Sequence, residues 1–140
     1  MINRIKQGLN YLFAKPKVDK MEEIKLLLAK EEYKIFINMD NYDKVHSIGV
    51  YERVKKDKVL NKDEKYLKLA LLHDCGKEKI CLLIRMKKVL VGEKSLDRHP
   101  ESGYKKLREI DLELANLILN HHGLNENKKL KRFQEIDDES

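Results

Sequence analysis

The chain has 140 residues, 41% of them hydrophobic and 39% charged, with a formal net charge of +6 and a pI near 9.2. That length suits one domain burying roughly two thirds of its unfolded surface, so no covalent staple is needed. No stretch reaches the roughly 20 apolar residues of a membrane span, and no disulfide is expected between the two cysteines, Cys75 and Cys81.

The basic balance suits an anionic partner, with phosphate esters, nucleotides and nucleic acid all open. A plainer reading is that Lys-rich helices are well solvated. Two prolines and six glycines leave few breakers, and no alternating run reads as a strand. The predicted fold class is therefore all-α. The expected organisation is a single domain over 1–140, with a core over about 30–138 and residues 1–29 packed on it.

Ile2, Ile5, Leu9, Leu12 and Phe13 recur at three or four residues and predict an amphipathic helix over about 2–14. This is not the continuous apolar run of a secretion signal, so a cytoplasmic location is expected. A second helix follows Asp19, with Met21, Ile24, Leu27 and Leu28 on one face. A third covers about 30–38, with Tyr33, Phe36 and Ile37 inward. A fourth covers about 41–56, its expected core face holding Tyr42, Val45, Ile48, Gly49 and Val54, with His46 at the edge.

The fifth helix is expected to begin near Asn61 or Lys62, with Asp63 and Glu64 in its first turn to suit the helix dipole. It ends on Leu71-Leu72-His73-Asp74-Cys75-Gly76-Lys77, with Gly76 as the terminating glycine. The sixth, over about 79–91, is apolar around much of its circumference and should be the most buried. Pro100 opens the seventh, which puts His99 just before it. The eighth covers about 111–122 and closes on His121-His122-Gly123. The ninth covers about 126–138.

All five histidines, His46, His73, His99, His121 and His122, fall at helix ends or on the edge of an apolar face. Twice an apolar run stops in metal-ligand residue types followed by glycine. Buried without partners, such groups would cost on the order of 2–7 kcal/mol each. Imidazole and carboxylate together suit Mn, Fe, Zn or Ni, and open positions on such a centre suit hydrolysis.

The order His46, His73-Asp74 and a late aspartate resembles the HD superfamily of metal-dependent phosphohydrolases. Asp43-Lys44-Val45-His46-Ser47-Ile48-Gly49-Val50 resembles its first histidine helix, and Leu71 to Lys77 its signature. Arg98-His99-Pro100-Glu101-Ser102-Gly103 and Asn120-His121-His122-Gly123 resemble the added motifs of binuclear members, including HD-GYP proteins. Ile136-Asp137-Asp138 resembles the closing aspartate motif.

The resemblance implies a helical bundle of about seven to nine helices around a metal site. It implies that His46, His73, Asp74 and Asp137 bind one divalent ion. His99, His121 and His122 would bind a second, with Asp74 bridging. A hydroxide held between the ions would attack phosphorus, and Lys77, with Arg98 as a further candidate, would neutralise a phosphate oxygen. The expected substrate is a small phosphate ester or anhydride of nucleotide type.

After His121-His122 the chain reads Gly123-Leu124-Asn125-Glu126-Asn127, without the GYP motif, which argues against cyclic di-GMP. The alternative reading is a non-enzymatic metal-binding HD module that binds a nucleotide or a protein partner in signalling. Nucleic acid is the third choice. The runs Lys55-Lys56-Asp57-Lys58 and Lys128-Lys129-Leu130-Lys131-Arg132 carry no interleaved aromatics for base stacking.

Overall fold

The computed structural model describes residues 18–77, 99–122 and 127–140. Among these the chain forms seven α-helices and no strand. They are α1 (Val18–Leu27), α2 (Lys30–Ile37), α3 (Asn41–Lys56), α4 (Glu64–Leu72), α5 (His99–Leu107), α6 (Leu112–Asn120) and α7 (Lys128–Glu139). The helices expected over 2–14 and 79–91 lie outside the described residues, as do Cys81 and Arg98. No described helix is long and apolar enough to cross a membrane.

Side-chain oxygens start most of these helices. Asp40, Asp63 and Asp111 accept from the backbone N–H groups of Tyr42, Lys65 and Leu114, and Asn127 accepts from Lys129 and Leu130. Each such cap is worth about 1 kcal/mol. Asp63 corrects the expected start of α4: its carboxylate serves as the cap, so the helix opens at Glu64 and not at 61 or 62. At α2 the cap position is Ala29, and the buried Glu32 reaches back to its N–H at 2.7 Å. Glu32 also meets Lys68 of α4 at 3.0 Å.

α4 is the central element. It packs against α2, α3 and α6, while α5 pairs with α6 and α7 returns to α3. Neighbours on several sides explain why Leu69, Ala70, Leu71 and Leu72 are all fully buried. Phe36, Val50, Val54, Ile118 and Phe133 complete the interior. Arg132 ties α7 to the turn after α3: its Nε donates to Asp57 at 2.9 Å, and the other Asp57 oxygen accepts from Val59 and Leu60.

The inward face of α3 differs from the expected one. Asp43, Ser47, Val50, Tyr51 and Val54 are buried, while Tyr42, Val45 and Ile48 are only partly covered and Gly49 is exposed. The helix is turned so that two polar residues face inward, where the apolar pattern alone would have put them outside. On α2, Phe36 is buried as expected, but Tyr33 is only partly covered and the terminal Ile37 is exposed.

Two helical glycines should respond to alanine with opposite sign. A Cβ on Gly103 of α5 would lie 2.8 Å from Ile118 Cγ2, 3.4 Å from Cys75 Sγ and 3.7 Å from Gly76 N. The Ile118 methyl is branched at Cβ and fully buried, so it cannot swing away cheaply. Overpacking of this kind costs about 1–3 kcal/mol, against a helix-propensity gain of about 1 kcal/mol. Gly103→Ala is therefore expected to lower thermal stability. At Gly49 a Cβ meets nothing within 4 Å, so Gly49→Ala should raise stability by up to about 1 kcal/mol. Melting curves of the two variants check the pair, and a stabilised Gly103→Ala would refute the close approach of α5.

Candidate metal centre

α4 runs out at His73, whose N–H still bonds to Leu69 O at 2.8 Å, and the chain then turns through Asp74, Cys75 and Gly76. The turn lets adjacent His73 and Asp74 both face inward, which the roughly 100° step of a continuing helix would not allow. Both are buried. α6 ends in the same manner. It stops at Asn120, two residues short of the expected 122, and the buried His121 occupies its cap position.

The two terminal histidines share a device. His73 Nδ1 lies 2.8 Å from Ala70 O, and His121 Nδ1 bonds likewise to Ile118 O. Each carbonyl belongs to the last helical turn, whose acceptors have spare capacity; Ile118 O also accepts from the His121 N–H, at 3.4 Å. A carbonyl only accepts, so Nδ1 carries a proton and Nε2 is the nitrogen turned to the centre. The ring centroids lie 5.3 Å apart. The carboxyl ends of both helices thus approach one centre, and their partial negative charge favours a cation there.

From α3, His46 Nε2 reaches Asp137 Oδ1 of α7 at 3.2 Å and Asp74 Oδ2 at 3.8 Å. His73 Nε2 lies 3.3 Å from Asp74 Oδ2 and 3.2 Å from Asp137 Oδ1. His46 and Asp137 are hydrogen-bonded, but the two His73 contacts are close without being aligned, which leaves the buried His73 Nε2 without a properly directed partner. A lone pair turned on two carboxylates is stable only with a proton or a metal ion between them. Burial alone would depress the His73 imidazole, but Asp74 and Asp137 outweigh it and raise its pKa to about 10.

Elsewhere the balance differs. Burial, then repulsion from His73 and His122, pushes His121 down to about 3, so its ring is neutral as a metal ligand requires. Burial works against the Asp137 carboxylate, yet the bond with His46 and the adjacent His73 imidazole hold it well below the usual range. Burial also works against the Lys77 ammonium, but Asp74 and then Asp43 raise it to about 12. The buried Cys75 thiol is pushed up to about 12 by desolvation, which excludes a thiolate role.

Among the described residues, two groups of side chains are close enough to hold an ion: His46, His73 and Asp74, and then Asp74, His121 and His122. Asp74 belongs to both. His122 is exposed, its ring 4.0 Å from that of His121. Mixed imidazole and carboxylate donors with an orphaned buried nitrogen fit a divalent transition metal.

His99 is the first residue of α5, where Pro100 had been expected to open the helix. Its side chain and Arg98 lie outside the described residues. Sequence reasoning missed Asp43, Ser47 and Phe133. The first two sit three before and one after His46, in phase with Val50 and Val54, which was the available signal. Phe133 stands edge-on to His73 and His121 at 5.5 and 6.5 Å and walls the centre.

The HD domain family model matches residues 44–139, well over half of the chain. The chain belongs to the HD domain family. No curated protein and no solved structure matches it. HD domains generally serve as metal-dependent hydrolases. His73 and Asp74 lie at the turn where the two candidate ligand groups meet.

Proposed function

We propose that this HD domain is a phosphohydrolase that uses two divalent cations to cleave a phosphate ester or anhydride of nucleotide type. The observation that carries the reading is Asp74, a buried carboxylate common to two His-containing groups. Bound there, the cations supply a water deprotonated near neutral pH and offset phosphate charge. The chain's own residues do the rest. Ala70 O and Ile118 O lock the rings so that Nε2 points to the centre. Such outer partners typically matter 10- to 100-fold for metal affinity. Asp137 joins His46 to His73 from the opposite side. Lys77 pairs with a phosphate oxygen as a point charge. The net charge of +6 favours approach of an anionic substrate.

Protein purified without chelator is expected to carry about two transition-metal ions per chain by elemental analysis. It should release phosphate or a nucleotide from at least one member of a phosphate ester and anhydride library, with Mn or Fe raising the rate. A chain that takes up no metal would end this reading. Full metal content without turnover of any member would favour a binding module.

A further inference from the structure

Lys77 ends the turn that carries His73 and Asp74, and its Nζ lies 3.4 Å from Asp74 Oδ2. That oxygen also faces the imidazoles of His46 and His73, at 3.8 and 3.3 Å. The ammonium therefore rests on the carboxylate that the two candidate ligand groups have in common. Buried Asp43 on α3 adds a second negative charge to its surroundings. The Lys77 side chain is 35% exposed, so a path outward is open to it. Its four-carbon stem is flexible.

We propose that Lys77 is the resident counter-ion of Asp74 when no divalent cation is bound, and that cation entry turns it outward to meet a phosphate oxygen. The inference rests on the metal-centre reading above. A dication that takes this oxygen as a ligand cancels the negative charge holding the ammonium there and repels it in turn. Cation binding thereby weakens the Lys77–Asp74 contact, and the released charge becomes available to an anionic ligand. Each ligand strengthens the other by the same factor, as linkage requires. Lys77 thereby couples metal loading to substrate capture.

The test titrates chelator-stripped protein with Mn2+ by calorimetry, with and without inorganic phosphate. Lys77→Met keeps the stem and loses the charge, Lys77→Arg keeps the charge, and Lys77→Gln replaces Lys77→Met if that variant does not fold. Without phosphate, the neutral variant should bind Mn2+ about tenfold or more tightly than wild type, with Lys77→Arg within about threefold of it. Phosphate should tighten Mn2+ binding in wild type, and by a smaller factor in the neutral variant. A neutral variant that binds Mn2+ no more tightly than wild type overturns the counter-ion role and leaves the metal centre standing. Absence of binding by every protein overturns both.

Discussion

Asp74→Ala is expected to abolish phosphate release and to lower cation occupancy in both ligand groups at once. A ligand confined to one group would empty one site, but Asp74 belongs to both. Its Oδ2 faces His46, His73 and Lys77 together. Loss of one strong electrostatic stabiliser costs roughly 10²–10³ in rate, and loss of a shared metal ligand should exceed that. The variant also leaves the charged His73 and Lys77 with less negative charge, and breaking a buried pair costs about 3–5 kcal/mol. Asp74→Asn separates chemistry from folding, because it keeps the volume and one carbonyl oxygen while losing the charge. It should remain folded by circular dichroism, with turnover down about 10³-fold or more. Asp138 is exposed on α7, and Asp138→Ala should keep near-normal rates and metal content. Normal turnover in Asp74→Asn would show that the shared carboxylate is not needed.

Phe133→Ala is expected to cost the fold heavily. Phe133 is fully buried on α7, between the core and the rings of His73 and His121. Truncating such a ring costs about 3–5 kcal/mol, a large share of the roughly 5–15 kcal/mol that holds a domain together. The cavity would open beside both helix-terminal histidines, so Mn2+ affinity should fall along with stability. Phe133→Leu leaves a smaller void and should recover most of both losses. Urea titration of the three proteins checks this. A cost below about 1.5 kcal/mol for Phe133→Ala would mean that the wall collapses onto the space and does not support the rings.

The helical character of the chain was legible because its periodic apolar positions and sparse breakers admit little else. The expected limits of α3 match the observed ones, since Asp40 marks its start and the apolar spacing runs to Val54. Its rotation was not legible. Apolar residues were assigned inward and polar ones outward, yet Asp43 and Ser47 are buried beside His46. A polar centre inside a fold reverses that rule where it forms. Residue type and place, at helix ends or at the edge of an apolar face, single out His46, His73, Asp74, His121 and His122, the family resemblance adds Asp137, and the structure brings the six together. The tautomers of the histidines and the place of Phe133 could not be read, because they depend on which carbonyl or ring folding brings near.

His46 and Asp137 meet at 3.2 Å although they stand 91 positions apart in the chain. Helices adjacent in sequence, α3 with α4 and α5 with α6, pack together by short loop closures. The return of α7 to α3 requires a long one, whose entropic cost precedes any contact that rewards it. On refolding, the helical pairs should therefore form while the centre is still open, and it closes only when the distant ends of the fold are joined. The Asp137 carboxylate thus reaches the centre only with the completed topology, and a partly folded chain with most of its helices would lack that contact.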